Sequence, residues 1–239
     1  LYFGDGELVA EVIDNTTSRG RTIRFIPEDN ERNFHDIIHE YGETPLPKEI
    51  KRKVDKKDEE RFQTVYAKNI GAVAAPAAGL HFTEILLKKL ILKGVKIVKI
   101  TSHTGLGTFK DIDVEDLTKH KMDSENYSIP EETAETVNKA IKTGKRIFAV
   151  GTSTMKTLET AVSANDLLKA KSGWTDKFIF PPYDFKICGA MITNFHSPKS
   201  TLLMMASAFG GFDQIMKAYK VAIKEKYMFH TYGDALMII

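Results

Sequence analysis

The stretch Glu84-Ile-Leu-Leu-Lys-Lys-Leu-Ile-Leu-Lys-Gly-Val-Lys-Ile-Val-Lys-Ile100 indicates the fold class of this chain. Thr83 is suited to begin a helix over 84–93, because its hydroxyl can accept a hydrogen bond from an unpaired backbone N–H group. Gly94 is suited to end that helix. The apolar run 95–100 that follows predicts a short strand.

The same order of elements returns further along the chain. A helix is predicted over 131–142, Gly144 follows it, and the apolar run 146–150 predicts a strand. Helices that alternate with short apolar strands favour α/β architecture. We therefore predict an α/β domain over 61–239.

The first 60 residues have a different pattern. Apolar and polar residues alternate over 8–13 and again over 22–25, with a break at 15–20, which predicts an antiparallel hairpin. A short amphipathic helix follows around Ile37, and the two prolines of 43–47 indicate a linker. We predict a separate small β domain over 1–60.

Composition limits the class of protein. Apolar residues make up 42% of the 239, which is enough for a substantial core. The longest nearly apolar run, 202–212, is too short to span a bilayer, so we expect no membrane insertion. The single cysteine, Cys188, fits a reducing compartment, and we expect the protein in the cytoplasm.

The net charge of +2 does not mark the whole chain as a nucleic-acid binder, so any RNA contact should be local. One segment concentrates basic residues: Lys48, Lys51, Arg52, Lys53, Lys56 and Lys57. We predict RNA binding by Lys51, Arg52 and Lys53. The alternative is an ordinary solvated charged surface.

Three segments each place a histidine at the end of an apolar element. They are Gly71-Ala-Val-Ala-Ala-Pro-Ala-Ala-Gly-Leu-His-Phe82, Thr101-Ser-His-Thr-Gly-Leu-Gly-Thr-Phe109 and Thr193-Asn-Phe-His-Ser-Pro-Lys-Ser-Thr201. Histidine serves as a general acid or base because its pKa lies near neutral pH. We predict that His81, His103 and His196 line a catalytic site, although each alone could be a structural histidine.

Other residues are candidate binding groups. Gly151-Thr-Ser-Thr154 opens a predicted helix, where backbone N–H groups favour a carboxylate or phosphate, although simple helix capping is the alternative. Gly105-Leu-Gly107 is a weak nucleotide-loop signal by itself. The carboxylates of Asp123, Glu125 and Asp234 are candidates for binding hydroxyl or cationic groups.

The sequence resembles the S-adenosylmethionine:tRNA ribosyltransferase-isomerases of queuosine biosynthesis. The three histidine segments carry this resemblance, and further blocks extend it in the family's order: Arg61-Phe-Gln-Thr-Val-Tyr-Ala67, His120-Lys-Met-Asp-Ser-Glu125, Val150-Gly-Thr-Ser-Thr154 and Tyr232-Gly-Asp-Ala235. The resemblance covers nearly the whole chain.

The resemblance implies a mixed α/β main domain with an antiparallel β-barrel insert, of which 1–60 would be the second part. It implies transfer and isomerisation of the ribosyl group of S-adenosylmethionine onto the aminomethyl-deazaguanine base at the wobble position of tRNA with a GUN anticodon. Epoxyqueuosine-tRNA, adenine and methionine would be the products. S-adenosylmethionine is then a co-substrate, and we expect no other cofactor, no metal and a monomer.

Catalysis needs a base near the sulfonium and a group that helps adenine to leave, and we assign the base to His103 or His81, with His196 also in the site. The predicted substrate-binding residues are Pro76, Gly79, Gly105, Gly107, Thr108, Phe109, Asp123, Glu125, Gly151, Thr152, Ser153, Thr154, Lys156, Asn194, Phe195 and Asp234.

Several positions depart from the family's pattern. Ala77 stands where the family usually has Thr, Lys156 replaces an Arg, and Ser197 replaces a Leu. The family's N-terminal block does not precede Leu1, so we expect the chain to be part of a longer protein. These departures leave open a catalytically impaired homologue that still binds tRNA. An ordinary S-adenosylmethionine-dependent methyltransferase is a further alternative, although no glycine-rich loop follows a first strand.

Overall fold

The computed structural model of this chain describes residues 1–14, 22–29, 31–47 and 49–239, without the side chains of Asp14 and Phe109. Two units are distinguished, Leu1–Pro45 and Leu46–Ile239. Within the described ranges, every helix is too short or too polar to cross a bilayer.

In its described residues, the first unit contains an antiparallel sheet and an α-helix. Its elements are β1 (Tyr2–Phe3), β2 (Leu8–Asp14), β3 (Thr22–Pro27) and α1 (Phe34–Tyr41). The sheet order is β1-β2-β3, so the predicted hairpin is confirmed, while its turn at 15–20 lies outside the described residues. These strands form an open sheet, and the described residues contain no closed barrel.

The second unit is a mixed α/β structure, as predicted. Its helices are α2 (Lys56–Arg61), α3 (Glu84–Leu92), α4 (Glu131–Lys142), α5 (Thr152–Thr160), α6 (Thr201–Gly210) and α7 (Phe212–Lys224). Its strands are β4 (Thr101–His103), β5 (Glu125–Ile129), β6 (Phe148–Val150), β7 (Lys171–Thr175), β8 (Ala190–Asn194) and β9 (Ala235–Ile238).

Two three-stranded sheets organise this unit. The first has the order β4-β5-β7 and is antiparallel throughout. The second has the order β6-β8-β9, in which β6 and β8 run parallel and β9 is antiparallel to β8. The main core combines buried residues of both sheets with α4, α5 and α6, and its least exposed members are Tyr127, Ala149, Met155, Ile179, Met191 and Ala206.

Pairing within these sheets decides where polar side chains lie. Along β5, Glu125, Tyr127 and Ile129 are buried, and the alternate residues point to the opposite face. In the second sheet, Val150 at the end of β6 lies opposite Ile192 of β8. The carboxyl ends of these two parallel strands therefore open at one edge, which is where ligands bind in open α/β sheets.

Local sequence signals account for several helix ends. The Thr83 side chain accepts a hydrogen bond from Leu86 N, as predicted, and Gly94 adopts φ 84° just after α3. Ser197 and Pro198 have residue types that favour a helix start, but α6 begins only after Ser200, whose hydroxyl accepts from Leu203 N. Residues 198–199 form a turn before the helix, in which Lys199 adopts φ 57°.

The prediction of a strand over 95–100 is wrong. Only Thr101–His103 forms a strand, and it pairs with β5. Four of the six residues of 95–100 are apolar, but no ladder partner lies beside them among the described residues. Strand formation depends on such a partner, which a single segment of sequence does not reveal.

Candidate active site

A cleft opens at the carboxyl ends of β6 and β8. It encloses about 1220 Å³ of empty space, including the open solvent at its mouth. The predicted site residues that line it are Pro76, Thr108, Glu125, Gly151, Thr152, Ser153, Lys156, Asn194 and His196. Residues far apart in the sequence therefore meet at the edge where the parallel strands end.

One wall is formed by the small residues of 74–78. The backbone N–H groups of Val73 and Ala74 donate to Thr104 O at 2.9 and 3.1 Å, which ties this wall to the loop after β4. Gly79 lies behind the wall, and an added Cβ there would stand 2.1 Å from the Tyr66 hydroxyl. Gly79 thus permits close packing but does not line the cleft.

His81 and His103 do not line the cleft. His103 pairs with Asn126 across the sheet, and directly opposed residues in an antiparallel pair point to the same face. Glu125, the neighbour of Asn126, lines the cleft, so His103 points to the other side of the sheet. The His81 Nε2 and His103 Nδ1 atoms are both buried without a hydrogen-bond partner among the described residues.

His196 is the predicted histidine that the structure places in the cleft. Its backbone N–H donates to the Tyr219 hydroxyl at 2.8 Å, and its ring Nε2 lies 2.7 Å from Thr193 Oγ1. Burial, and then the nearby His230, lowers the pKa of His196 to about 4. The imidazole of His196 is therefore neutral at neutral pH.

A buried ion pair forms part of the cleft lining. Glu125 and Lys156 are each only 4% exposed, and the Lys156 ammonium contacts Glu125 Oε2. The other carboxylate oxygen accepts from Gly105 N at 3.2 Å and from Thr108 Oγ1 at 3.1 Å. The pair therefore joins α5, β5 and the 105–108 loop, and the charge of Lys156 is neutralised within the protein.

The N-terminal end of α5 also faces the cleft. Gly151 precedes it with φ 95°, a conformation that favours glycine, and Thr152 and Ser153 line the cleft. The Thr154 hydroxyl instead donates to Val150 O at 2.8 Å. The first N–H groups of a helix lack intrahelical partners, so this end can bind an anion.

The remaining predicted binding residues lie outside the cleft lining. Gly107 packs against Asp123, whose carboxylate pairs with Lys110 at 2.6 Å. Phe195 is buried against Tyr219, and the Phe109 side chain lies outside the described part of the structure.

Asp234, which also lies outside the cleft lining, stabilises a loop. Its carboxylate accepts from Met228 N at 2.7 Å and so closes the loop before β9.

The described basic residues near α2 are not part of the cleft lining, although Glu49 of the same segment is. Arg52 makes two hydrogen bonds to Asp58, at 2.6 and 2.7 Å, and Asp58 is almost fully buried. Lys51 and Lys53 are exposed, whereas Lys48 lies outside the described residues. Of the three predicted RNA-binding residues, Arg52 is therefore engaged in an intramolecular ion pair.

Several lining residues were not among the predicted site residues, although Thr104, Met122, Thr193, Ser200 and Thr201 lie in the quoted motifs. They are Glu49, Thr104, Lys110, Asp111, Met122, Lys177, Phe178, Ile179, Thr193, Ser200, Thr201, Leu202, Met205, His230 and Thr231. For His230 and Thr231, a signal was available in the following Tyr232-Gly-Asp234 block, because residues beside a functional loop motif are themselves candidates.

Comparison with known proteins supports one family. The model of the family described as queuosine biosynthesis protein matches residues 1–238. Proteins named S-adenosylmethionine:tRNA ribosyltransferase-isomerase from Cytophaga hutchinsonii and Amoebophilus asiaticus are 60% and 58% identical to this chain over 239 residues. The match covers 100% of this chain and 69% of each relative.

A solved structure gives the same result. The crystal structure of S-adenosylmethionine tRNA ribosyltransferase from Thermotoga maritima is 41% identical, with a TM-score of 0.57. The match covers 68% of this chain and 51% of that chain, so about half of the solved protein has its counterpart here. The chain belongs to the queuosine biosynthesis protein family.

Proposed function

We propose that this chain carries the reaction of an S-adenosylmethionine:tRNA ribosyltransferase-isomerase. The ribosyl group of S-adenosylmethionine is transferred to the aminomethyl-deazaguanine base at the tRNA wobble position and isomerised, giving epoxyqueuosine-tRNA, adenine and methionine. The observation that carries the proposal is the meeting of His196 with the anion-binding end of α5 in one cleft, in a chain 60% identical to a relative of that name.

The cleft offers binding groups for two parts of S-adenosylmethionine, its carboxylate and its adenine. We assign its carboxylate to the first N–H groups of α5, beside Thr152 and Ser153, because the helix dipole favours an anion there. We assign its adenine to the apolar side of the cleft, where Met122 and Phe178 lie. No further cofactor is needed, since the sulfonium itself activates the ribosyl group.

The other predicted roles follow from position. His196, Asn194 and Thr108 line the cleft and are proposed to contact the substrate directly. Contact of His81 and His103 with the substrate stays a prediction, because in this structure both lie outside the cleft lining.

We place the tRNA partly on the exposed Lys51 and Lys53, whose ammonium groups can neutralise phosphates. The proposed substrate is tRNA with a GUN anticodon, modified in the cytoplasm by a monomer. We also propose that the open sheet β1-β2-β3 is part of the family's antiparallel barrel insert, so that 1–60 and 61–239 act as insert and catalytic domain.

The second candidate is a catalytically impaired homologue that still binds tRNA. The departures at Ala77, Lys156 and Ser197 favour it, since all three residues line the cleft. Lys156, however, forms a buried ion pair with Glu125, so that departure is accommodated within the protein.

Release of adenine from S-adenosylmethionine tests the proposal. The intact protein is incubated with an anticodon stem-loop that carries the aminomethyl-deazaguanine base, and a matched stem-loop with guanine is the control. We expect adenine and methionine only with the modified RNA. RNA binding without adenine release would favour the impaired homologue, and formation of S-adenosylhomocysteine would indicate a methyltransferase.

A further inference from the structure

A second imidazole lies in the cleft beside His196. His230 lines the same cleft, although it comes from the loop between α7 and β9. It is close enough to His196 to lower the pKa of that residue. Nothing in the sequence pattern indicated this pairing.

The backbone of His230 is held in a strained conformation. Its φ is 70°, in the left-handed region that residues with a side chain seldom adopt. Three hydrogen bonds hold it: His230 N donates to Phe195 O at 2.9 Å, and His230 O accepts from Asn194 Nδ2 at 2.9 Å and from Gly233 N at 3.1 Å. Strain of this kind persists only where the surroundings enforce it, and it concentrates at functional sites.

The ring of His230 is held at one nitrogen only. Its Nδ1 lies 3.4 Å from Ser197 Oγ, and its Nε2 has no hydrogen-bond partner among the residues that the structure describes. His196 is likewise contacted at one ring nitrogen, its Nε2, by Thr193 Oγ1. Because His230 lines the cleft, its unpaired Nε2 is available to a substrate there.

Burial limits His196 as a base. A general base works best when its pKa lies near the working pH. With its pKa lowered to about 4, His196 is a weak base, although it can still accept or donate a hydrogen bond. Ser197, which replaces a Leu of the family's pattern, supplies the hydroxyl that faces His230 Nδ1.

We propose that His230 is a catalytic residue of this cleft and acts as the base toward S-adenosylmethionine. Its Nε2 lone pair takes a proton from the ribose carbon bonded to sulfur, and the electron pair of that C–H bond stays on the carbon beside the sulfonium. That electron pair then forms a double bond to the neighbouring ring carbon as the bond from that carbon to the ring oxygen breaks. The ring oxygen forms a carbonyl with the anomeric carbon as the bond from that carbon to adenine breaks. Adenine leaves with the electron pair of that bond and takes the proton from the imidazolium. This assignment rests on the proposed function.

The test uses substitutions that suit the backbone. Asn is tolerated at positive φ and cannot act as a base, so His230→Asn should fold, and His230→Gly should fold for the same reason. Lys226 provides the matched control, because it also has a positive φ, of 60°, but is exposed and outside the cleft lining. Lys226→Asn should leave both folding and turnover unchanged.

Adenine release is measured with the modified stem-loop. The S-adenosylmethionine carries either hydrogen or deuterium on the ribose carbon that is bonded to sulfur. We expect His230→Asn and His230→Gly to lower kcat by about 100-fold or more, with KM changed by less than about 3-fold. The isotope effect should increase in both variants, because proton removal becomes rate-limiting. A merely structural role would leave the isotope effect unchanged.

Other results overturn the proposal. If His230→Asn keeps more than a third of the wild-type kcat, His230 is not the base. If KM alone rises, His230 is a binding residue instead. If the unsubstituted protein releases no adenine, the proposed function itself fails and this assignment falls with it, whereas an active parent with an active variant refutes the assignment alone.

Discussion

Replacing Lys156 by Met should strongly destabilise the protein. Lys156 and Glu125 are each 4% exposed, so water cannot solvate the carboxylate that the substitution leaves behind. Removing one partner of a buried pair costs about 3–5 kcal/mol of unfolding free energy. Glu125 keeps two donors, Gly105 N and Thr108 Oγ1, which places the expected loss near the lower figure, about 3 kcal/mol.

The assay is urea unfolding followed by circular dichroism, with thermal unfolding as a second measurement. A loss of 3–5 kcal/mol corresponds to a fall in Tm of about 6–20 °C for a protein of this size. Lys88→Met is the matched control, because the Lys88–Glu84 pair spans 3.8 Å with side chains 75% and 71% exposed. That control should change stability by less than about 1 kcal/mol.

A double substitution isolates the cause. In the Lys156→Met background, Glu125→Gln removes the unpaired charge and keeps an amide oxygen for Gly105 N and Thr108 Oγ1. It should therefore recover most of the lost stability. The reasoning is refuted if Lys156→Met resembles Lys88→Met, or if adding Glu125→Gln makes the protein still less stable.

Two other predictions concern packing and pH. Gly79→Ala should lower the free energy of unfolding by about 1–3 kcal/mol, because the added Cβ would lie 2.1 Å from the Tyr66 hydroxyl. Gly105→Ala is the control and should leave stability nearly unchanged, because an added Cβ there has no other atom within 4 Å. Equal urea midpoints for the two variants would contradict this prediction. For Asp58, hydrogen bonds from Arg52 lower the pKa of the carboxyl below its ordinary value. The unfolded state therefore binds a proton first, so the wild-type Tm should fall as pH drops below about 4, and Asp58→Asn should show a flatter Tm profile there.

Much of the fold was predictable because its signals are local. The amphipathic helix over 131–142, the cap at Thr83 and the hairpin before residue 28 depend on neighbouring residues, and the structure has all three. The prediction of a strand over 95–100 was wrong, because a strand requires a hydrogen-bonded partner and the tertiary structure determines whether one lies beside it.

The site was predictable in part for the same reason. The helix start at Gly151 places Thr152 and Ser153 at an anion-binding end whatever surrounds it, and both line the cleft. The direction of His103 was not predictable, because it depends on which residue of β5 it opposes. A shift of one residue in that pairing would move His103 to the face of Glu125.

By itself, the sequence determined the family, the mixed α/β class and several helix ends, since these follow from residue types and their spacing along the chain. Only the tertiary structure decided which histidines share the cleft. His196 and His230 meet because Asn194 and Phe195 hydrogen-bond to the backbone of His230 and hold it at φ 70°. Residues so distant in sequence come into contact only when the chain packs, and this packing cannot be inferred from the order of residues.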